Sequence, residues 1–178
     1  MSMIARILVS ASRLTICLGT AFAVSSTQAA DLAVQESTSV AASPDKVWAV
    51  LGKFSGLPGW HPAVAATDIV KGVDNQRGAV RSITTKDGAR IVEELLSYDA
   101  SKHNMTYRIS ASPLPVTDYI STLAVAPAGK GSKITWKSRF KRDPAARDVD
   151  DAKAKEIVAG MYKSGFDGLR AALGEVPR

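Results

Sequence analysis

The sequence has 178 residues, of which 46% are hydrophobic, and a formal net charge of +6 at pH 7. A chain of this length can bury one hydrophobic core and is too short for several full-size domains. A single cysteine excludes a disulfide framework, and basic residues that are scattered rather than clustered disfavour a nucleic-acid-binding protein.

Residues 1–30 have the order of charge and hydropathy that is typical of a secretory signal peptide. Two arginines are the only charges there, an apolar stretch covers residues 14–24, and small residues follow it. The apolar stretch is shorter than the roughly 20 residues that span a bilayer. We therefore expect cleavage after Ala29 or Ala30, no stable membrane anchor, and a periplasmic or secreted bacterial protein. A retained anchor helix is the alternative.

The predicted mature chain, residues 31–178, is one domain with a net charge of +4, because the leader contains two arginines and no acid. The only cysteine, Cys17, lies in the leader, and the bulky Ile16 before it argues against a lipoprotein. The mature chain thus has no thiol for a disulfide or a nucleophile. Two distant histidines, His61 and His103, do not make a metal site. No phosphate-binding or cofactor motif is present, so we expect no metal and no cofactor.

Hydrophobic periodicity divides the mature chain into a strand, a short helix, about six further strands and a long helix. The first strand is predicted at 33–41, and a helix starts at Ser43, a good N-cap that Pro44 follows. The further strands are predicted at 63–73, 78–85, 90–98, 104–111, 117–126 and 133–141. From 150 to 173 apolar residues recur at helical spacing.

A long helix with an apolar stripe and an antiparallel sheet with an apolar face each need a partner that buries that surface. The predicted fold class is therefore α+β, with a curved antiparallel sheet wrapped around the long C-terminal helix. This helix-grip arrangement leaves a cavity between the sheet and the helix. Gly160, Ser164 and Gly168 lie at four-residue spacing on the helix and predict a close approach to the sheet or to a ligand.

Polar and aromatic side chains near this cavity are the candidate ligand-binding residues. They are Trp60, His61, Arg81, Glu94, Tyr107, Tyr119, Trp136, Met161 and Phe166. His61 lies on a loop at the predicted cavity mouth, and its ordinary pKa near neutrality suits acid–base chemistry. A structural plug formed by the loop is the alternative for His61, and ordinary packing is the alternative for the aromatic residues and for Met161.

Arg81 and Glu94 lie on neighbouring predicted strands and could form an inward ion pair that orients a ligand. Two solvated strand charges are the alternative. His103 follows a polar turn, and we expect it to be exposed to solvent.

Seven short segments and the C-terminal helix carry a resemblance to a known family. The segments are ASPDKVW at 42–48, FSGLPGWHP at 54–62, GAVR at 78–81, DG at 87–88, EELLSYD at 93–99, YRI at 107–109 and SPLPV at 112–116. With these segments in this order, the mature chain resembles the START-like SRPBCC superfamily, in its polyketide cyclase/dehydrase branch. The resemblance implies a helix-grip fold with a deep pocket, which the superfamily uses for lipids, sterols, quinones, polyketides and hormones. Exported members with a Trp-His-Pro loop are similar to periplasmic accessory proteins of methanol oxidation, the MxaD type, which assist a redox chain.

Three functions follow as hypotheses. The first is a non-enzymatic periplasmic binding or accessory protein that holds a small apolar or aromatic molecule. The second is a cyclase- or dehydratase-type enzyme that uses His61, or Arg81 with Glu94, in the same cavity. The third is an accessory factor that docks to a periplasmic dehydrogenase or cytochrome, since a mildly basic protein favours an acidic partner. No nucleic-acid partner is expected.

Overall fold

The computed structural model describes residues 31–175, so the predicted signal peptide lies outside the described residues. The strands are β1 (Leu32–Val40), β2 (Val64–Lys71), β3 (Val80–Thr85), β4 (Arg90–Asp99), β5 (Asn104–Ala111), β6 (Val116–Ala128) and β7 (Gly131–Arg142). The helices are α1 (Pro44–Leu51) and α2 (Asp151–Ala172), and a 3₁₀ turn at Leu57–Gly59 precedes β2. No helix of the described residues is long and apolar enough to cross a membrane.

The seven strands form a single antiparallel sheet in the order β1-β7-β6-β5-β4-β3-β2. Side chains alternate between its two faces, because successive residues of a strand point to opposite sides. On β7, for example, Trp136 and Phe140 are buried, whereas Lys137 and Arg139 are exposed. The buried face curves around α2, which confirms the predicted helix-grip α+β fold.

Asp150 caps the N-terminus of helix α2, where its side chain accepts a hydrogen bond of 2.7 Å from the backbone N–H of Lys153. Such a cap satisfies one of the unpaired N–H groups of the first turn. The helix buries a stripe formed by Ala154, Val158, Tyr162, Gly165, Phe166 and Leu169. Its closest approaches to the sheet are to β1 and β7, so the concave surface of β3, β4 and β5 is left for a cavity.

A close approach to α2 exists at one glycine of the predicted ridge, Gly168, and at Gly165 beside the ridge. A methyl group on Gly168 would lie 2.0 Å from the carbonyl oxygen of Trp60, and one on Gly165 would lie 2.8 Å from the ring of Trp136. A methyl group on Gly160 would meet nothing within 4 Å. The prediction is therefore wrong for Gly160, because the helix turns Gly165 and Gly168 toward the Trp60 loop.

The expectation that His103 is exposed is also wrong. Its side chain is 19% exposed, and its Nε2 lies 2.9 Å from Oδ1 of Asp45 on α1. The backbone of His103 is left-handed, with φ of 48°, and the ring lies 5.8 Å from the ring of Trp48. The β4–β5 turn thus folds this side chain onto α1 instead of into solvent.

Candidate functional site

A cavity of about 100 Å³ lies between α2 and the concave face of the sheet. Its aliphatic wall comes from Leu57, Val64, Ile83, Ile91, Ile109, Leu114 and Met161. Its polar and aromatic wall comes from His61, Arg81, Thr85, Glu93, Tyr107, Tyr119, Trp136 and Tyr162. An apolar protein cavity of about 150 Å³ takes up benzene. The cavity in this conformation therefore suits a short chain or at most a single ring, not a sterol or a long lipid.

A buried ion pair, Arg81 with Glu93, forms the polar end of the cavity. The β3–β4 register places these two residues opposite each other on the inner face. Arg81 donates to Oε2 of Glu93 twice, from Nη2 at 2.5 Å and from Nε at 2.7 Å, and Nη1 donates to the carbonyl of Phe54. The guanidinium lies 4.1 Å from the ring centre of Phe54 and 5.1 Å from that of Tyr107. The cation is thus held by hydrogen bonds at its edge and by aromatic rings at its faces.

The prediction that Arg81 pairs with Glu94 is wrong. Glu94 points to the outer face of the sheet, where its Oε2 accepts from Nη2 of Arg108 at 2.6 Å. Alternation along β4 puts neighbouring residues on opposite faces. Since Arg81 is inward and 4% exposed, its partner on β4 has to be the inward Glu93.

Burial sets the protonation preference of Glu93. Loss of solvation raises the pKa of its carboxyl group, and the charge of Arg81 opposes that rise. Two opposite charges in direct contact leave this end of the cavity with no net charge when Glu93 is ionised.

His61 is buried rather than placed at an open mouth, with an exposure of 8%. Its Nδ1 accepts from the backbone N–H of Ala63 at 3.3 Å, and its Nε2 lies 3.2 Å from the carbonyl oxygen of Met161. The ring therefore carries its proton on Nε2 and donates it to α2. Burial lowers the pKa of His61, and the charge of Arg81 lowers it further, while the bond to Met161 opposes the shift. The neutral imidazole therefore links the loop to α2 through its hydrogen bond to the carbonyl of Met161.

A chain of hydroxyl groups lies beside the ion pair. The hydroxyl of Tyr119 is 2.5 Å from that of Tyr162, which is 3.2 Å from Oγ of Ser121. Ser121 donates to the carbonyl of Lys137 at 3.0 Å. Burial raises the pKa of Tyr119 well above its ordinary value and also raises that of Tyr162, so these hydroxyls keep their protons.

Trp136 ties this chain to Tyr107. Its indole N–H donates to the hydroxyl of Tyr107 at 2.8 Å and to Oγ of Ser121 at 3.0 Å. Its ring stacks on that of Tyr162, with centroids 4.3 Å apart and planes inclined by 13°. Burial raises the pKa of Tyr107 well above its ordinary value, and the nearby Glu93 adds to that rise. The aromatic wall is therefore a fixed hydrogen-bonded unit.

The predicted ligand-binding residues divide into two groups. Those that line the cavity are His61, Arg81, Tyr107, Tyr119, Trp136 and Met161; that they touch a ligand stays a prediction. Trp60, Glu94 and Phe166 do not line it. Trp60 and Phe166 pack against Trp136 instead, with ring centroids 5.7 Å and 6.2 Å from it, because the close approach at Gly168 draws the loop and helix together.

Sequence reasoning missed Glu93 and Tyr162 as cavity residues. The alternation on β4 was the available signal for Glu93, since it shares a face with Ile91 and Leu95. Residues 31–175 contain no group of three or more His, Cys, Asp or Glu side chains that could hold a metal ion.

Comparisons with known proteins agree with this architecture. The family described as "Polyketide cyclase / dehydrase and lipid transport" matches residues 31–174. XoxI from Bacillus cereus is 30% identical, with a TM-score of 0.71 over 79% of this chain and 94% of that one. An uncharacterised protein from Bacillus thuringiensis is 29% identical, with a TM-score of 0.72 over 81% of this chain and 100% of that one.

A more distant likeness shows the fold alone. Ara h 8.0201 is 18% identical, with a TM-score of 0.65 over 82% of this chain and 100% of that one. A search of curated proteins finds no significant match. Because the family match spans almost every described residue and the structural neighbours share the helix-grip fold, the chain belongs to the polyketide cyclase / dehydrase and lipid transport family of the START-like SRPBCC superfamily.

Proposed function

We propose that this chain is a binding protein that holds a small, mostly apolar molecule between α2 and the sheet. The observation that supports it is the cavity itself: an aliphatic wall closed at one end by the Arg81–Glu93 pair and tyrosine hydroxyls. Ligand pockets commonly combine an apolar wall with a few fixed polar groups. The volume of about 100 Å³ limits the occupant to a short chain or a single ring.

The contacts of His61 and Arg81 support binding over a reaction that either residue would catalyse. Both ring nitrogens of His61 are engaged with backbone groups, and Arg81 is tied to Glu93 and to the carbonyl of Phe54. A general acid or base has to reach the proton that it moves. The cyclase or dehydratase alternative would therefore require Glu93 or a tyrosine to act in place of His61.

Thermal unfolding with small aromatic probes tests the binding proposal. Toluene or phenol at about 100 times its dissociation constant is expected to stabilise the protein by about 2.7 kcal/mol, which raises the melting temperature by several degrees. The variant Ile109→Phe fills the cavity and is expected to lose the shift. Ile120→Phe, on the outer face of β6, is the matched control and is expected to keep it. A melting temperature that ignores toluene, phenol and quinones, in a protein that native mass spectrometry shows to be empty, would contradict the proposal.

We also propose that the protein works after export, in the periplasm or the medium of a bacterium, because residues 1–30 have signal-peptide character. Intact-mass measurement of the exported protein is expected to find a chain that starts at Ala30 or Asp31. Full-length chain found only in the cytoplasm would contradict this location.

An accessory factor that docks to a periplasmic dehydrogenase or cytochrome is the second candidate function. The outer face of β7 favours it, since Lys133, Lys137 and Arg139 are exposed there. No carboxylate of the described residues lies within ion-pair distance of these three cations. An acidic partner would be attracted to this strip, and the attraction would weaken with salt.

Capture of an acidic redox protein from periplasm tests the accessory function. We expect it at low salt, with loss in the double variant Lys137→Glu/Arg139→Glu and retention in Lys155→Glu, which changes an exposed lysine of α2. Equal capture by the double variant and the control would contradict docking at β7.

A further inference from the structure

The hydrogen-bonding capacity left over at the polar end of the cavity defines the ligand more closely. Arg81 already uses three of its five N–H groups, because Nε and Nη2 donate to Glu93 and Nη1 donates to Phe54, and aromatic rings lie on the guanidinium. A ligand carboxylate would meet a cation that is already neutralised, and it would lie beside the negative charge of Glu93. The site therefore disfavours anionic ligands.

Glu93 retains an acceptor. Both of its contacts with Arg81 use Oε2, and Oε1 accepts no hydrogen bond from the described residues. Among the described residues, the side-chain atoms that are fully enclosed and have no hydrogen-bond partner lie on Trp48, Trp60, Thr67 and Ser138. Oε1 of Glu93 is not one of them, so it keeps some accessible surface. Since Glu93 lines the cavity, its Oε1 is open to an occupant.

The order of donors and acceptors along the chain of hydroxyl groups identifies a second hydrogen-bond acceptor in the cavity. Ser121 gives its proton to the carbonyl of Lys137, so the contact between Tyr162 and Ser121 requires Tyr162 to be the donor. The contact between Tyr119 and Tyr162 then requires Tyr119 to donate. The oxygen of Tyr119 is left as an acceptor at the cavity wall.

Tyr107 supplies a donor. Its oxygen accepts from the indole N–H of Trp136. The hydroxyl of Ser121 is also a neighbour, but its oxygen already accepts from Trp136 and Tyr162, so the proton of Tyr107 is left for an occupant. An occupant that both gives and takes a hydrogen bond would match Glu93 and Tyr107 together. A hydroxyl group has both capacities, whereas a hydrocarbon has neither and a carboxylate cannot donate.

We infer that the ligand is a small neutral molecule with a hydroxyl group, a phenol or a short alcohol, whose O–H donates to Oε1 of Glu93 and whose oxygen accepts from Tyr107. This inference rests on the proposed binding function. The volume of about 100 Å³ limits such a ligand to one ring or a short chain.

Three probes of similar size test the inference on the wild-type protein by calorimetry at a mildly alkaline pH: phenol, toluene and benzoate. We expect phenol to bind about tenfold more tightly than toluene, as a hydrogen bond to a charged acceptor would give, and benzoate to bind least. Equal binding of phenol and toluene, or tightest binding of benzoate, would overturn the ligand class but leave the binding function standing. Failure of all three probes to bind would overturn the binding function itself.

Matched variants then assign the preference to residues. In Glu93→Gln the preference for phenol over toluene is expected to shrink and benzoate binding to increase, because Arg81 loses its counter-charge. Glu94→Gln, on the outer face, is the control and is expected to keep wild-type selectivity. Tyr107→Phe is expected to weaken phenol and leave toluene unchanged; it gives an independent readout if Glu93→Gln does not fold. Wild-type selectivity in both cavity variants would overturn the assigned contacts.

Discussion

Neighbouring glutamates on β4 have different environments and should have different energetic roles. Glu93 is 6% exposed and pairs with the 4%-exposed Arg81, whereas the Glu94–Arg108 pair is partly open to solvent. Removing one member of a buried pair leaves an uncompensated charge, but a surface pair is screened by water. Replacing one residue of the inner pair should therefore lower the free energy of unfolding far more than replacing one residue of the outer pair.

We predict that Arg81→Met lowers the free energy of unfolding by about 3–5 kcal/mol. The double variant Arg81→Met/Glu93→Leu should recover most of that loss, since it removes both charges and keeps apolar volume. Arg108→Gln, which breaks the outer pair, should cost at most about 1 kcal/mol. Urea unfolding of the three variants measures these differences. Equal losses in Arg81→Met and Arg108→Gln would contradict the distinction.

His61 should make stability depend on pH. Its pKa is lowered in the folded protein from 6.5, because burial disfavours the charged ring. The unfolded chain thus takes up the proton first as the pH falls, and the free energy of unfolding should decrease below about pH 6.5 until the folded pKa is reached. In His61→Gln that decrease should be absent. Urea unfolding of both proteins across this range gives the difference curve, in which the contributions of groups common to both proteins cancel. A flat difference curve would show that His61 titrates alike in the two states.

These residues also show what the sequence could and could not predict. Alternation on β4 placed Ile91, Glu93 and Leu95 on one face, but the choice of partner for Arg81 depends on the β3–β4 register. A slip of one residue exchanges the faces, and nothing local to either strand specifies the pairing. The burial of His61 likewise depends on contact with the Met161 carbonyl, which is 100 residues away in sequence.

At the scale of elements, the contact between α2 and the Trp60 loop joins the loop closely to the helix that the sheet wraps around. The carbonyl of Trp60 lies so near Gly168 that a methyl group there would be 2.0 Å from it. The helical period gave the bounds of α2 and its apolar stripe, because that information is local. The rotation of the helix about its axis depends on the loop and on Trp136, so the close contacts lie at Gly168 and at Gly165, which is off the predicted ridge, and not at Gly160.

Two glycines of α2 offer a matched test of this contact. Gly168→Ala should lower the free energy of unfolding by about 2 kcal/mol or more, because the methyl group overlaps a backbone carbonyl. Gly160→Ala has open space and should raise it by up to about 1 kcal/mol, since alanine is the better helix former. Chemical denaturation of the two variants measures both effects. Similar effects of the same sign at both positions would mean that the helix does not depend on the close approach.

At the scale of the whole molecule, one sheet carries two different surfaces. Its concave face holds the cavity, whose wall includes Trp136, and its convex face carries the exposed cations of β7. Strand alternation separates them, since Lys137 follows Trp136 directly and points the other way. The proposed ligand inside and the proposed partner outside would therefore not compete for any side chain.

Whether the two surfaces are coupled can be measured as a ratio of affinities. A ligand that changed partner affinity by some factor would have its own affinity changed by the same factor. We expect a factor near one, because Trp136 is already held by its hydrogen bonds to Tyr107 and Ser121 and by stacking on Tyr162. The measurement is phenol affinity in the wild-type protein and in Lys137→Glu/Arg139→Glu, with and without the captured partner. Unchanged phenol affinity in all states would establish two independent sites. A change of several-fold on partner binding would instead require the stacked Trp136–Tyr162 unit to move, and its indole fluorescence would report that movement.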